Sequence, residues 1–166
     1  MTRRRRIAGI VCSLACLGLL LAGCGGKTTT TTTNAAGQTV VTCHISLAKT
    51  KFLLHTGLAY AAFHRYIQKP YEAGSFKSGA SGRTKALVKA GASALVVFHE
   101  LQAALQDARC DGPVLAKLAA PVAGAAAAFQ SMKASLEKGD LGGIVKGTSL
   151  LTTLSSEAEK VGLTVG

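Results

Sequence analysis

The sequence predicts an all-α domain, an antiparallel four-helix bundle, on three observations. Apolar residues recur at three- and four-residue spacing through four long stretches. Glycine, proline and aspartate cluster between those stretches, where chain reversals are needed. No alternating β-branched run of useful length appears outside residues 39–42, so short connections between helices leave a bundle as the expected architecture.

Residues 42–69 hold neither a proline nor a turn cluster, and Ile45, Ala48, Phe52, Ala59, Phe63 and Ile67 keep the helical period. One amphipathic helix is expected there. It should stop before Pro70, because the residue preceding a proline is pushed out of the helical region. Residues 71–82, with Gly74, Gly79, Gly82 and three serines, read as a loop. A second helix is expected over 84–108, with Leu87, Ala90, Ala94, Phe98, Leu101 and Leu105 on its inner stripe. Asp111-Gly112-Pro113 combines a capping side chain, a residue free in φ and a ring suited to opening a helix, so a third helix begins there. Leu115, Leu118, Val122, Ala126, Phe129, Met132 and Leu136 carry it to Lys138, with a break at Pro121. Gly139 ends it, and Asp140 is the expected N-cap of a last helix that buries Ile144, Gly147, Leu151, Leu154 and Ala158 and stops before Gly162.

Ahead of this domain the chain reads differently. Arg3 to Arg6 form a positive stretch, Ile7 to Leu20 an apolar one, and Leu21-Ala22-Gly23-Cys24 follows. This segment resembles the signal peptide and lipobox of a bacterial lipoprotein precursor. The resemblance implies that the Cys24 sulfur is alkylated with diacylglycerol, that the peptide is cut between Gly23 and Cys24, and that the mature chain is anchored on the extracytoplasmic face of the cell membrane. A plain transmembrane anchor fits less well, since roughly 16 apolar residues fall short of the ~20 needed to span. The folded part is similar, in architecture and composition only, to small alanine-rich lipoproteins of actinobacterial type.

The division that follows is 1–23 signal peptide, 24–40 lipidated N-terminus with a Thr-rich tether, and 41–166 helical domain. Residues 25–38 include six consecutive threonines and offer little apolar surface to bury, so they are expected to stay a flexible coil. As a coil of about 14 residues they would hold the domain roughly 20 Å from the membrane. What remains, ~125 residues, suffices for one core and is too short for a two-lobed solute receptor.

The chain carries 19 Lys+Arg against 8 Asp+Glu, and removal of Arg3 to Arg6 leaves 15 against 8, a net +7. A basic surface outside a bacterial cell favours anionic lipid headgroups, an envelope protein or an anionic cell-wall polymer. Nucleic acid is not an expected partner, because the lysines are scattered instead of lining a groove with stacking aromatics. The candidate contact surface is the richest aromatic region, Tyr66, Tyr71 and Phe76, with Lys77 and Arg83 beside it. The expected function is therefore a lipid-anchored interaction module of the cell envelope.

Cys12 and Cys16 lie in the leader and Cys24 is assigned to acylation, which leaves Cys43 and Cys110. In an oxidising compartment two remaining thiols suggest one disulfide. Antiparallel pairing of the first two helices brings them to the same end. Among the four histidines, His55 and His99 would lie at similar heights, and they are the pair on which the alternative function, a carrier of a small ligand, metal or haem, would rest. His99 sits roughly 130° from its helix's apolar stripe at ~100° per residue, and no His-x-x-x-His or Glu-x-x-His is present, so neither metal nor cofactor is expected. Glu100 and Asp107 are seven residues apart and read as solvated carboxylates, and no catalytic constellation points to an enzyme.

Overall fold

The computed structural model describes residues 27–33, 39–110 and 112–164. The leader and Cys24 lie outside them, as does Asp111.

The described residues begin not with a coil but with a hairpin. Strand β1, Lys27–Thr33, pairs antiparallel with β2, Thr39–Ile45, in a register that sets Lys27 against Ile45 and Thr33 against Thr39. This corrects the expected coil over residues 27–33, the rest of the tether lying outside the described residues, and it corrects a first helix starting at residue 42. Threonine and valine are β-branched, stiff at χ1 and suited to a pleated surface. With Val40 and Val41 in the partner strand, backbone pairing supplies order that apolar burial alone could not.

Helix α1, Ala48–Phe63, begins after Leu47, whose φ of 59° places a leucine in the left-handed region. That conformation costs an L-residue roughly 1–2 kcal/mol, so the junction between hairpin and helix is strained. α1 runs directly into a π-helical turn, His64–Gln68, and then α2, Lys69–Glu72. The expected stop before Pro70 is thus overtaken by one further turn. Lys69 N–H bonds to the His64 carbonyl, five residues back, and this wider turn interrupts the ordinary ladder just before the ring that could not have joined it.

Helix α3, Arg83–Cys110, is followed by the short α4, Gly112–Ala116, then α5, Ala119–Glu137, and α6, Gly142–Lys160. The break in the third predicted helix falls at 117–118, ahead of Pro121. The proline consequently occupies the first turn of α5, where a backbone N–H has no intrahelical partner to lose. Asp140 is one residue early as a cap: Leu141 is the N-cap of α6, while Asp140 Oδ1 accepts the Gly142 N–H at 2.9 Å.

α3 packs on α1 on one side and on α5 on the other, and α6 packs on α5 and reaches the π-turn. Pairs of residues fix the directions. Ser93 Oγ donates to the Ala62 carbonyl at 3.0 Å and His55 meets Glu100, so α1 and α3 run oppositely. The Arg83 side chain lies over Gly139 and that of Lys133 over Gly91, so α3 and α5 do too. Phe52, Phe63, Ile67, Leu101, Leu115, Leu118, Phe129, Met132, Leu136, Ile144 and Leu154 fill the space between them. The rings of Phe63 and Phe129 meet edge-on, 5.4 Å between centroids, tying α1 to α5 past α3.

Cys43 and Cys110 form a disulfide, Cα to Cα 4.8 Å, which joins β2 to the last residue of α3. Closing 67 residues, it stabilises the fold by about 4 kcal/mol in the chain-entropy picture.

Candidate functional site

The predicted aromatic and basic surface divides into two groups. Tyr66, Tyr71 and Lys77 are exposed, and the Arg65 guanidinium lies 5.5 Å from the Tyr66 ring centre. Phe76 is not part of that surface; it is 2% exposed and belongs to the core. The loop folds back on the helices to bury its one large apolar side chain, which removes more apolar area from water than leaving it at the surface would. Arg83 is half-buried and serves that loop. Its Nε donates to the Phe76 carbonyl at 2.9 Å, so its place is a clasp on the turn rather than a free contact residue.

The surface that sequence periodicity left unassigned is the outward side of α3. Val88, Leu95 and Val96 are 67%, 36% and 48% exposed, and Ala92 lies between them on the same face. Apolar residues at 88, 92 and 95 follow four- and three-residue steps, the spacing by which one helix presents a stripe to another. Two open cavities flank it. One, of about 470 Å³, lies between α3 and α5 and is lined by Leu87, Val88, Gly91, Leu95, Lys133 and Leu136. The other, of about 420 Å³, lies between α3 and the end of α1, with Ala62, Tyr66, Lys89 and Val96 in its walls. Ala92 lines both, so they are neighbouring parts of one surface. Gly91 deepens the first, because a side chain there would reach toward the Lys133 stem. Lys85 and Lys89 are exposed on the same helix, Lys89 in the wall of the second cavity, and the Lys133 ammonium at the first pairs with Glu137 at 2.6 Å. The signal for this face was present in the sequence, as a second apolar stripe on a helix whose first stripe already faces the core.

Comparison with known protein families, curated proteins and solved structures finds no match for this chain. Its chemistry therefore rests on its own residues.

Between α1 and α3 lies a polar cluster. His55 Nδ1 donates to Glu100 Oε2 at 2.7 Å, both side chains part-exposed. Asp107 is 4% exposed, and its Oδ2 has no hydrogen-bond partner. Loss of water around this carboxyl raises its pKa, against the opposing charges of His55 and Lys51. The expectation that Glu100 and Asp107 are both solvated is thus corrected: one is paired and the other buried. The hand-off from height to contact also differs, since His55 meets Glu100 where His99 was the candidate. His99 is exposed, its ring tilted against Phe98 at 5.4 Å. Among the described residues no group of three or more histidines, cysteines or carboxylates is placed to hold a metal ion. Among the same residues no helix is long and apolar enough to cross a membrane.

Proposed function

We propose that this chain is a lipid-anchored interaction module on the extracytoplasmic face of a bacterial cell membrane, without catalytic activity, and that its helical body is an antiparallel four-helix bundle of α1, α3, α5 and α6. The observation that carries the placement is Leu21-Ala22-Gly23-Cys24 after a basic and then apolar leader. The bundle reading draws support from the opposed directions of successive helix pairs. The recognition surface in this reading is the outward face of α3, Val88, Ala92, Leu95 and Val96, edged by Lys85 and Lys89. Exposed apolar area beside cations fits an acidic protein surface better than a bare anionic polymer, which would leave the valines and leucine in water.

Intact-mass analysis of the protein purified from membranes tests the anchor. The expected product starts at Cys24 and carries the mass of a diacylglyceryl group, whereas an unmodified Cys24 discards the placement. Photocrosslinking from position 92 in intact cells tests the surface, with one dominant adduct expected that Val88→Glu abolishes.

A second reading, a carrier of a small ligand, is favoured by one observation, the mainly apolar lining of the 470 Å³ cavity between α3 and α5. It directs attention to an apolar molecule there and away from His55 and His99. Lipid extraction of the purified protein followed by mass spectrometry separates the two, because a carrier yields a stoichiometric species.

A further inference from the structure

The hairpin changes where an anchor at Cys24 would hold the body. β1 starts at Lys27, and its antiparallel register returns that residue to Ile45, which is 7% exposed and part of the core. Three residues of chain reach at most about 11 Å, so an acylated Cys24 would lie within that distance of Lys27, the strand residue paired with Ile45 where the helical body begins. A coil through the threonines would instead have allowed the body to stand off.

What the body presents at that end is unlike an ordinary solvated cap. Leu47 is 72% exposed in its left-handed conformation, two residues beyond Ile45. Val114 is 37% exposed on α4, and Pro113 beside it is exposed as well. On the elements that meet at this end, Lys49 on α1, Arg109 at the end of α3 and Lys117 after α4 are exposed cations. Of the carboxylates at this end among the described residues, Asp107 is buried, Glu157 is held by Lys160 at 2.6 Å and Glu159 lies on the last turn of α6.

Resting on the anchored reading above, we propose that this hairpin end docks on an anionic bilayer surface, with Leu47 and Val114 entering the headgroup region and Lys49, Arg109 and Lys117 facing the lipid phosphates. Two arguments select the lipid as occupant. The span from Cys24 to Lys27 sets this end against the bilayer, and isolated apolar side chains among cations are the composition of interfacial contacts. A second copy of the chain would set like charges against each other.

The chain has no tryptophan, so Leu47→Trp and Val114→Trp are single reporters, and Tyr71→Trp, on the far end of α1 and its extension, is the control. The processed full chain is reconstituted into vesicles of phosphatidylglycerol and phosphatidylcholine with brominated acyl chains. Quenching at positions 47 and 114 is expected to exceed that at 71 by about twofold or more, and to fall when Lys49, Arg109 and Lys117 are replaced together by Glu or when phosphatidylglycerol is left out. Circular dichroism checks that each variant keeps its helices. Equal, weak quenching at all three positions in vesicles that still carry the protein overturns the docking and leaves the anchor standing. If Cys24 proves unmodified, the same reporters on added vesicles decide: quenching at 47 and 114 supports docking without the anchor, and its absence removes both.

Discussion

Asp107 is a carboxyl whose charge the fold disfavours. Burial raises its pKa above 3.8, and the nearby positive charges of His55 and Lys51 do not cancel the effect. For a raised carboxyl the sign runs one way. The protonated form is relatively better tolerated in the folded state, so the group favours folding most below pH 3.8, and that advantage is lost as pH rises through the folded value. At neutral pH the buried charge is a cost. Asp107→Asn should therefore be more stable than the natural chain at pH 7, by on the order of 1 kcal/mol, the lower range for an unpartnered buried acceptor. The gain should shrink as pH falls toward 3.8. Urea unfolding at pH 7, 5 and 4 reads both effects, and a variant less stable at every pH would contradict this account of Asp107. At Gly147 the constraint is steric. A Cβ there would come within 2.7 Å of Met132 Cε and 3.1 Å of Phe129 Cζ, and that ring is held edge-on by Phe63. Gly147→Leu should cost about 2–3 kcal/mol by overpacking, measured as a lowered urea midpoint with an unchanged slope.

At the scale of elements, the same residue type has the opposite consequence elsewhere. Gly57 in α1 and Gly124 in α5 have nothing within 4 Å of where a Cβ would stand, and neither has a positive φ. Replacing both by alanine should raise stability by roughly 1 kcal/mol per site through helix propensity alone, and a thermal midpoint that does not rise would show that these helices need the glycines for another reason. The helices were legible in the sequence because their inner stripes repeat. Leu115, Leu118, Val122, Ala126, Phe129, Met132 and Leu136 are all buried, as are Ile144, Gly147, Leu151, Leu154 and Ala158. A stripe seen along one helix is a local property, and three- and four-residue spacing reports it without knowledge of the partner. The hairpin was not legible, since a run of one residue type has no alternation to detect and its order comes from pairing with a strand six or more residues away. The burial of Phe76 is not legible in the sequence for a related reason. A single aromatic in a glycine-rich loop carries no period, and its burial depends on how Arg83 and the turn fold back. The second stripe of α3 was visible in the sequence, but its exposure and the two cavities beside it were not, because the outward side of a helix is judged only once its neighbours are known.

For the molecule as a whole, the hairpin is fastened to the helices by one crosslink besides the chain itself. A two-stranded ribbon is marginal by itself in water, and β2 packs mainly against α3, where Cys43 is bonded to Cys110. The junction that continues into α1 passes through a strained leucine at 47 instead of a capped turn, since no side-chain cap bonds the start of that helix. The bridge thus stabilises in two ways, by closing 67 residues in the unfolded chain and by keeping the ribbon against the end of α3. Cys43→Ser with Cys110→Ser should lower global stability by about 4 kcal/mol, the loop-closure entropy of the unfolded chain. Hydrogen exchange should resolve the loss in space. Amides of β1 and β2 are expected to lose protection first and most, while those of α3 and α5, whose residues line the central core, keep protection up to the reduced global limit. Uniform loss across hairpin and helices would mean that the ribbon is an integral part of the folding unit. Selective loss would identify the helical body as the unit that folds and the threonine strand as an element fastened to it after the thiols are oxidised.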